Sequence, residues 1–94
     1  MMENAASGPR YIALSGEYDL ARREELSSAL AVITNGAPVT IDMRQVTYID
    51  STFLTEVTAM RLRREERPVT LLGVAPNIAR MFMLAKLDRF FVFR

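Results

Sequence analysis

The sequence contains no cysteine and no histidine. The first absence excludes disulfides and any thiolate metal site. The second removes imidazole ligands and the commonest general base at neutral pH, and with it the Ser–His and Cys–His nucleophilic pairs. Lysine is nearly missing as well: Lys86 is the only one, and the other basic residues are arginines. The formal net charge is +1, so no general attraction to nucleic acid is implied. Apolar runs are only a few residues long, too short to insert into a membrane. These absences favour a domain that performs no chemistry of its own and carries no cofactor and no metal. An enzyme built on Asp19, Asp42 or Asp50 remains a minor alternative, because no spacing unites those carboxylates.

What is present suits one packed core. The chain has 94 residues, half of them apolar and 24% charged, which is the composition of a single globular domain. Residues 1–9 read as a short disordered lead, since Glu3, Asn4, Ser7, Gly8 and Pro9 offer little to bury. That stretch also lacks the basic start and apolar centre of a secretory signal, so a cytoplasmic location is expected. The domain itself is expected over residues 10–94.

Strand and helix signals alternate along it. Arg10 to Ser15 carries the β-propensity of Tyr11, Ile12 and Leu14 and is expected to stop at Gly16. Asp19 is a plausible N-cap for a helix to about Thr34, with Leu26, Leu30 and Ile33 at i, i+4 and i+7. Val39 to Met43 alternates as a strand, and Arg44 to Thr47 reads as a loop. A second helix runs from Asp50-Ser51 to about Glu66, free of glycine and proline. Its Leu54 and Val57 are assigned to the core, which leaves Phe53 and Met60 partly exposed. Arg61, Arg63, Arg64 and Arg67 form a basic end, read as a solvated face. Val69 to Val74 reads as a strand buried on both faces, and Pro76 starts a third helix with Ile78, Met81, Phe82 and Ala85 as its stripe. Leu87 and the tail Phe90 to Phe93 close the chain as a short strand or a packed extended segment. The order is β-α-β-α-β-α-β, and the expected fold is an α/β domain with a mixed sheet of about four strands.

Ser51 lies at the start of the middle helix, where hydroxyl side chains can cap free N–H groups. An ordinary capping pair, Asp50-Ser51, explains that placement without regulation. A phosphorylated Ser51 is compatible with it as well: the group adds about −1.5 to −2 charges, and a helix N-terminus tolerates them.

Three segments together resemble the STAS family of sulphate-transporter and anti-sigma-factor-antagonist domains. They are Gly16-Glu17-Tyr18-Asp19, then Ile41-Asp42-Met43 with Val46 and Tyr48-Ile49-Asp50-Ser51-Thr52, then Val69-Thr70-Leu71-Leu72-Gly73-Val74 followed by Pro76, Arg80, Phe82 and Leu87. The resemblance spans roughly Tyr11 to Phe93. It implies an anti-sigma factor antagonist that binds a GHKL-type serine kinase, itself an anti-sigma factor, and is released when Ser51 is phosphorylated. Thr52 is the second candidate hydroxyl. Asp19, Asp50, Ser51, Thr52, Phe53 and Met60 are the expected partner-binding residues, and weak self-association through a sheet edge stays among the expectations. Phe53 stands where the family often has glycine, as a bulky residue does in stressosome scaffold members. The resemblance therefore carries an alternative: a scaffold subunit of such an assembly, or an accessory subunit docked on a transport ATPase.

Overall fold

The computed structural model describes residues 10–33, 37–64 and 68–94. The expected N-terminal lead, Thr34, Glu66 and Arg67 lie outside the described residues. Strand β1 (Arg10–Tyr18) turns Leu14 and Tyr18 inward and Tyr11, Ala13, Ser15 and Glu17 outward. It runs on through Gly16, which takes φ +87. Gly16 leaves room for Arg22, whose guanidinium donates to the Ser15 and Glu17 carbonyls at 2.8 and 3.2 Å. The same guanidinium lies 3.9 Å from the Tyr18 ring centroid and pairs with Glu25 at 2.6 Å. Arg22 is thus the tie that holds the end of β1.

Strand β2 (Val39–Ile49) is longer than its alternation suggests. Buried apolar side chains fall at Val39, Ile41, Met43, Val46 and Ile49, so the interval changes from two residues to three. The register with β1 slips in the same stretch: Ala13 pairs with Asp42, Ser15 with Gln45 and Glu17 with Tyr48. Bulges insert the extra residues, and each breaks the two-residue period that marks a strand. The expected Arg44–Thr47 loop is therefore the bulged half of β2.

Strands β3 (Val69–Leu72) and β4 (Val92–Phe93) complete one sheet in the order β1-β2-β3-β4. Every pairing is parallel, so the sheet is not mixed as expected. Helices α1 (Arg23–Ala31), α2 (Ser51–Leu62) and α3 (Pro76–Leu84) make the crossovers. Right-handed crossovers that all step the same way place the three helices on one face of the sheet. Among the described residues the other face has no helix over it. Thr70 and Leu72 are accordingly half-exposed, and β3 is not buried on both sides.

One apolar cluster joins the helices to the sheet. Leu26, Leu30 and Ile33 enter it as their spacing requires. Helix α2 buries Leu54 and Val57 as expected, but Phe53 and Met60, expected to be partly exposed, are buried with them. Phe53 and Met60 are 1% and 0% exposed, while Leu54 is 9% exposed at the margin. The stripe that lies flat on the sheet is Phe53, Val57, Met60, at i, i+4 and i+7, and Phe53 packs on Tyr18 with ring centroids 5.6 Å apart. Val57 belongs to both candidate stripes, which is why spacing alone does not choose between them. The basic end of α2 is only partly solvated. Arg64 is buried and donates to the Ala37 carbonyl, and Arg61 donates to the Phe90 carbonyl at 2.8 Å.

Helix α3 buries Ile78 and Phe82, half-buries Met81, and leaves Met83 and Ala85 exposed. It ends with Lys86 in the left-handed region (φ 61), Lys86 N–H bonded to the Met83 carbonyl and Leu87 N–H to that of Phe82. This pair of bonds is the Schellman ending, here closed on a lysine where glycine is usual. It folds Leu87 back against the core. Phe82 then meets Phe91 and Phe93 edge-on, at 5.4 and 5.6 Å between centroids.

On the helix-free face, Asp42 accepts bonds from Arg44 Nε and Nη2 at 3.0 and 2.8 Å, from the Arg44 backbone N–H at 3.0 Å, and from the Tyr11 hydroxyl. A side chain on Gly73 (φ +71) would collide with the Arg44 stem, so glycine there lets the arginine cross to its carboxylate. Arg44, then Tyr11, hold the Asp42 carboxyl well below the usual carboxylate range. A depressed carboxyl stabilises the fold above its unfolded value of about 3.9 and loses that contribution as pH falls through its lower folded value. Asp42→Asn is thus expected to be less stable than the native protein at neutral pH. The gap should narrow on acidification below about pH 4, read from urea midpoints across pH 7 to about 2.5.

Candidate functional site

Strands β1 and β2 end side by side, with Tyr18 opposite Ile49 and the Asp50 N–H bonded to the Tyr18 carbonyl at 3.2 Å. Each leads into an aspartate in nearly the same extended conformation: φ −126, ψ −169 at Asp19 and φ −125, ψ −169 at Asp50. Both aspartates cap the helical turn that begins directly after them. Asp19 Oδ1 accepts from the Ala21 N–H at 3.0 Å, opening a 3-10 turn over Leu20–Arg22 ahead of α1. Asp50 Oδ1 accepts from Thr52 and Phe53 at 2.9 and 3.4 Å, opening α2. Asp50→Ala is expected to cost about 1 kcal/mol of stability, measured by chemical denaturation.

The cap duty falling on Asp50 leaves Ser51 without one. Its side chain is exposed, and its hydroxyl has no hydrogen-bond partner among the described residues. Two shallow depressions meet at it. The first, of about 270 Å³, is lined by Leu20, Arg23, Ser51, Thr52, Thr55 and Glu56. The second, of about 440 Å³, lies between α2 and the segment after α3 and is mostly apolar, with Leu54, Thr58, Ala59, Leu62, Ala85 and Leu87 beside Ser51 and Thr55. Ser51 and Thr55, one turn apart, form the ridge between a polar hollow and an apolar one. The C-terminal ends of parallel strands are where open α/β sheets present their binding sites.

Asp19, Asp50, Ser51 and Thr52 therefore share this edge. Thr52 is half-buried, and its N–H is occupied by the cap. Phe53 and Met60 do not share it: both are sealed in the core and offer nothing to a partner. Leu20, Arg23, Thr55, Glu56 and Leu62 join the edge without having been singled out by the sequence, and so does Leu87, singled out only as part of the third resembling segment. Thr55 was within reach of a spacing argument, being four residues after Ser51 on the same helical face. Arg23 and Glu56 are 33 positions apart, and their 3.1 Å contact exists only because α1 packs beside α2. Asp42 stands apart on the opposite face of the sheet, so Asp19, Asp42 and Asp50 do not converge. Among the described residues no cluster of acidic side chains could hold a metal ion, and no helix is long and apolar enough to cross a membrane.

Comparison with known proteins bears on this edge. A family model described as "Mlab, STAS domain" matches residues 1–93. No curated protein matches the sequence. Among solved structures, the fold is similar to the anti-sigma factor antagonist SpoIIAA in its unphosphorylated form, with a TM-score of 0.67 and 20% identity over 89% of this chain and 77% of that one. It is also similar to the STAS domain of a SulP transporter from Vibrio cholerae, with a TM-score of 0.66 and 17% identity over 94% of this chain and 73% of that one. The family match covers nearly every residue that builds the sheet, its helices and the Asp50-Ser51 edge: the chain belongs to the STAS domain family.

Proposed function

We propose that this domain is a non-enzymatic binding module whose contact surface is the edge around Ser51, and that phosphorylation of Ser51 turns it off. The observation that supports the reading is the state of that one side chain. It is exposed, relieved of capping by Asp50, and set on a ridge between two depressions suited to different contacts. The partner is a GHKL-type serine kinase acting as an anti-sigma factor in the cytoplasm. In the switching step the γ-phosphoryl group of a nucleoside triphosphate passes to Ser51 Oγ. The hydroxyl proton is released and the nucleoside diphosphate departs. Asp19, Asp50 and Thr52 border the contact, and the exposed side chains of Leu20 and Leu62 supply apolar area where the buried Phe53 and Met60 do not. The test is labelling with such a kinase. Phosphate is expected on Ser51, and Ser51→Ala should abolish it; label retained on Ser51→Ala would place the acceptor elsewhere and end this reading.

A second reading is favoured by the SulP likeness: an accessory subunit docked on a transport protein. It uses the same edge without the modification. It predicts no label at Ser51 and recovery of the domain with a membrane-embedded transport complex.

A further inference from the structure

Arg23 is the only cation and Glu56 the only anion among the six residues that line the polar hollow beside Ser51. They are joined by one bond, Arg23 Nε to Glu56 Oε2 at 3.1 Å. The terminal nitrogens of Arg23 have no partner among the described residues, and its side chain is 60% exposed against 19% for Glu56. An exposed pair held by a single bond is weak and easily exchanged. A phosphate offers three acceptor oxygens and close to two charges, and a guanidinium engages it in a two-pronged way that one carboxylate contact through Nε does not match.

We infer that Arg23 is an internal phosphate clamp: once Ser51 is phosphorylated, Arg23 leaves Glu56 and turns its free nitrogens onto the phosphate. The inference rests on Ser51 being the acceptor. It adds a consequence that the modification alone lacks. Glu56 loses its cation and faces the docking edge as an uncompensated anion, while the phosphate, neutralised in part by Arg23, is fixed in one direction. The clamp also distinguishes the two hydroxyls. A phosphate on Thr52 would stand one helical turn from Glu56, in the i, i+4 relation that sets like charges against each other.

The test uses protein carrying genetically encoded phosphoserine at position 51, so that no kinase is needed, with the phosphate titrated by phosphorus NMR. The second phosphate ionisation, ordinarily near pH 6, is expected to be lowered in the otherwise native protein. Arg23→Gln should raise it by about half a unit, and Glu56→Gln should lower it, because the competing carboxylate is gone. Titrations of the native and Arg23→Gln phosphoproteins that superimpose would overturn the clamp, as would a rise in Glu56→Gln. Circular dichroism melts of the unphosphorylated variants check that neither substitution disturbs the fold. Partner binding by the same phosphoprotein separates the two ideas. Undiminished binding defeats the switch and leaves the titration result standing, whereas lost binding with superimposed titrations keeps the switch and removes Arg23 from it.

Discussion

Ser51→Asp is expected to bind the proposed kinase partner about a hundredfold more weakly than the native domain, with Ser51→Ala binding as the native protein does. The magnitude comes from the surroundings of the side chain. Asp19 and Asp50 already make this edge partly anionic, and a further charge on an exposed residue must be covered by the partner when it docks. Like charges brought together at an interface cost several kcal/mol, and about 3 kcal/mol is close to two decades in the dissociation constant. The fold should not notice the change. A negative group in the first turn of α2 lies at the favourable end of the helix dipole, so the thermal midpoint of Ser51→Asp should equal or slightly exceed that of Ser51→Ala. Calorimetric titration with the kinase and thermal melts of the same samples check both halves. Equal affinities for the two variants would remove charge as the means of control.

Phe53→Ala is expected to lose about 3–5 kcal/mol of stability, the range for removing a large aromatic side chain from a packed core. A domain of this size has a total of about 5–15 kcal/mol, so the variant should lie near the edge of folding. Phe53 is 1% exposed and meets the Tyr18 ring, which is itself tied through Arg22 to the end of β1. The cavity would thus open beneath the two strand ends that carry Asp19 and Asp50. Phe53→Leu retains most of the volume and should lose far less, which keeps the comparison readable if the alanine variant does not fold. Urea denaturation measures both. A Phe53→Ala protein with native stability and impaired partner binding would mean that the ring faces outward after all.

Phe53 also shows where a sequence ceases to be informative. The helix from Ser51 was legible because no glycine or proline interrupts it and an aspartate stands before it. Which arc of that helix faces the sheet was not. The apolar positions 53, 54, 57 and 60 cover a wide arc, and Val57 fits either stripe. The second half of β2 was hidden for a related reason. A bulge changes the interval between buried residues from two to three, and local alternation is the very sign by which a strand is read. The parallel direction of β4 could not be read from a two-residue strand whose partner is 22 positions away.

The candidate edge divides in the same manner. Asp50-Ser51 is adjacent in the chain, so its capping and its place at a helix start are local matters that composition and order decide. The same holds for the exclusion of histidine and cysteine chemistry, which needs only the residue inventory. What Ser51 has for neighbours is not local. Arg23 arrives from α1, Leu87 from the turn after α3 and Glu56 from the next turn of α2, and they meet because parallel pairing aligns the strand ends and successive crossovers stack the helices on one face. Capping depends on residues within three or four positions of one another, whereas a binding edge depends on contacts across more than thirty, and only packing supplies those.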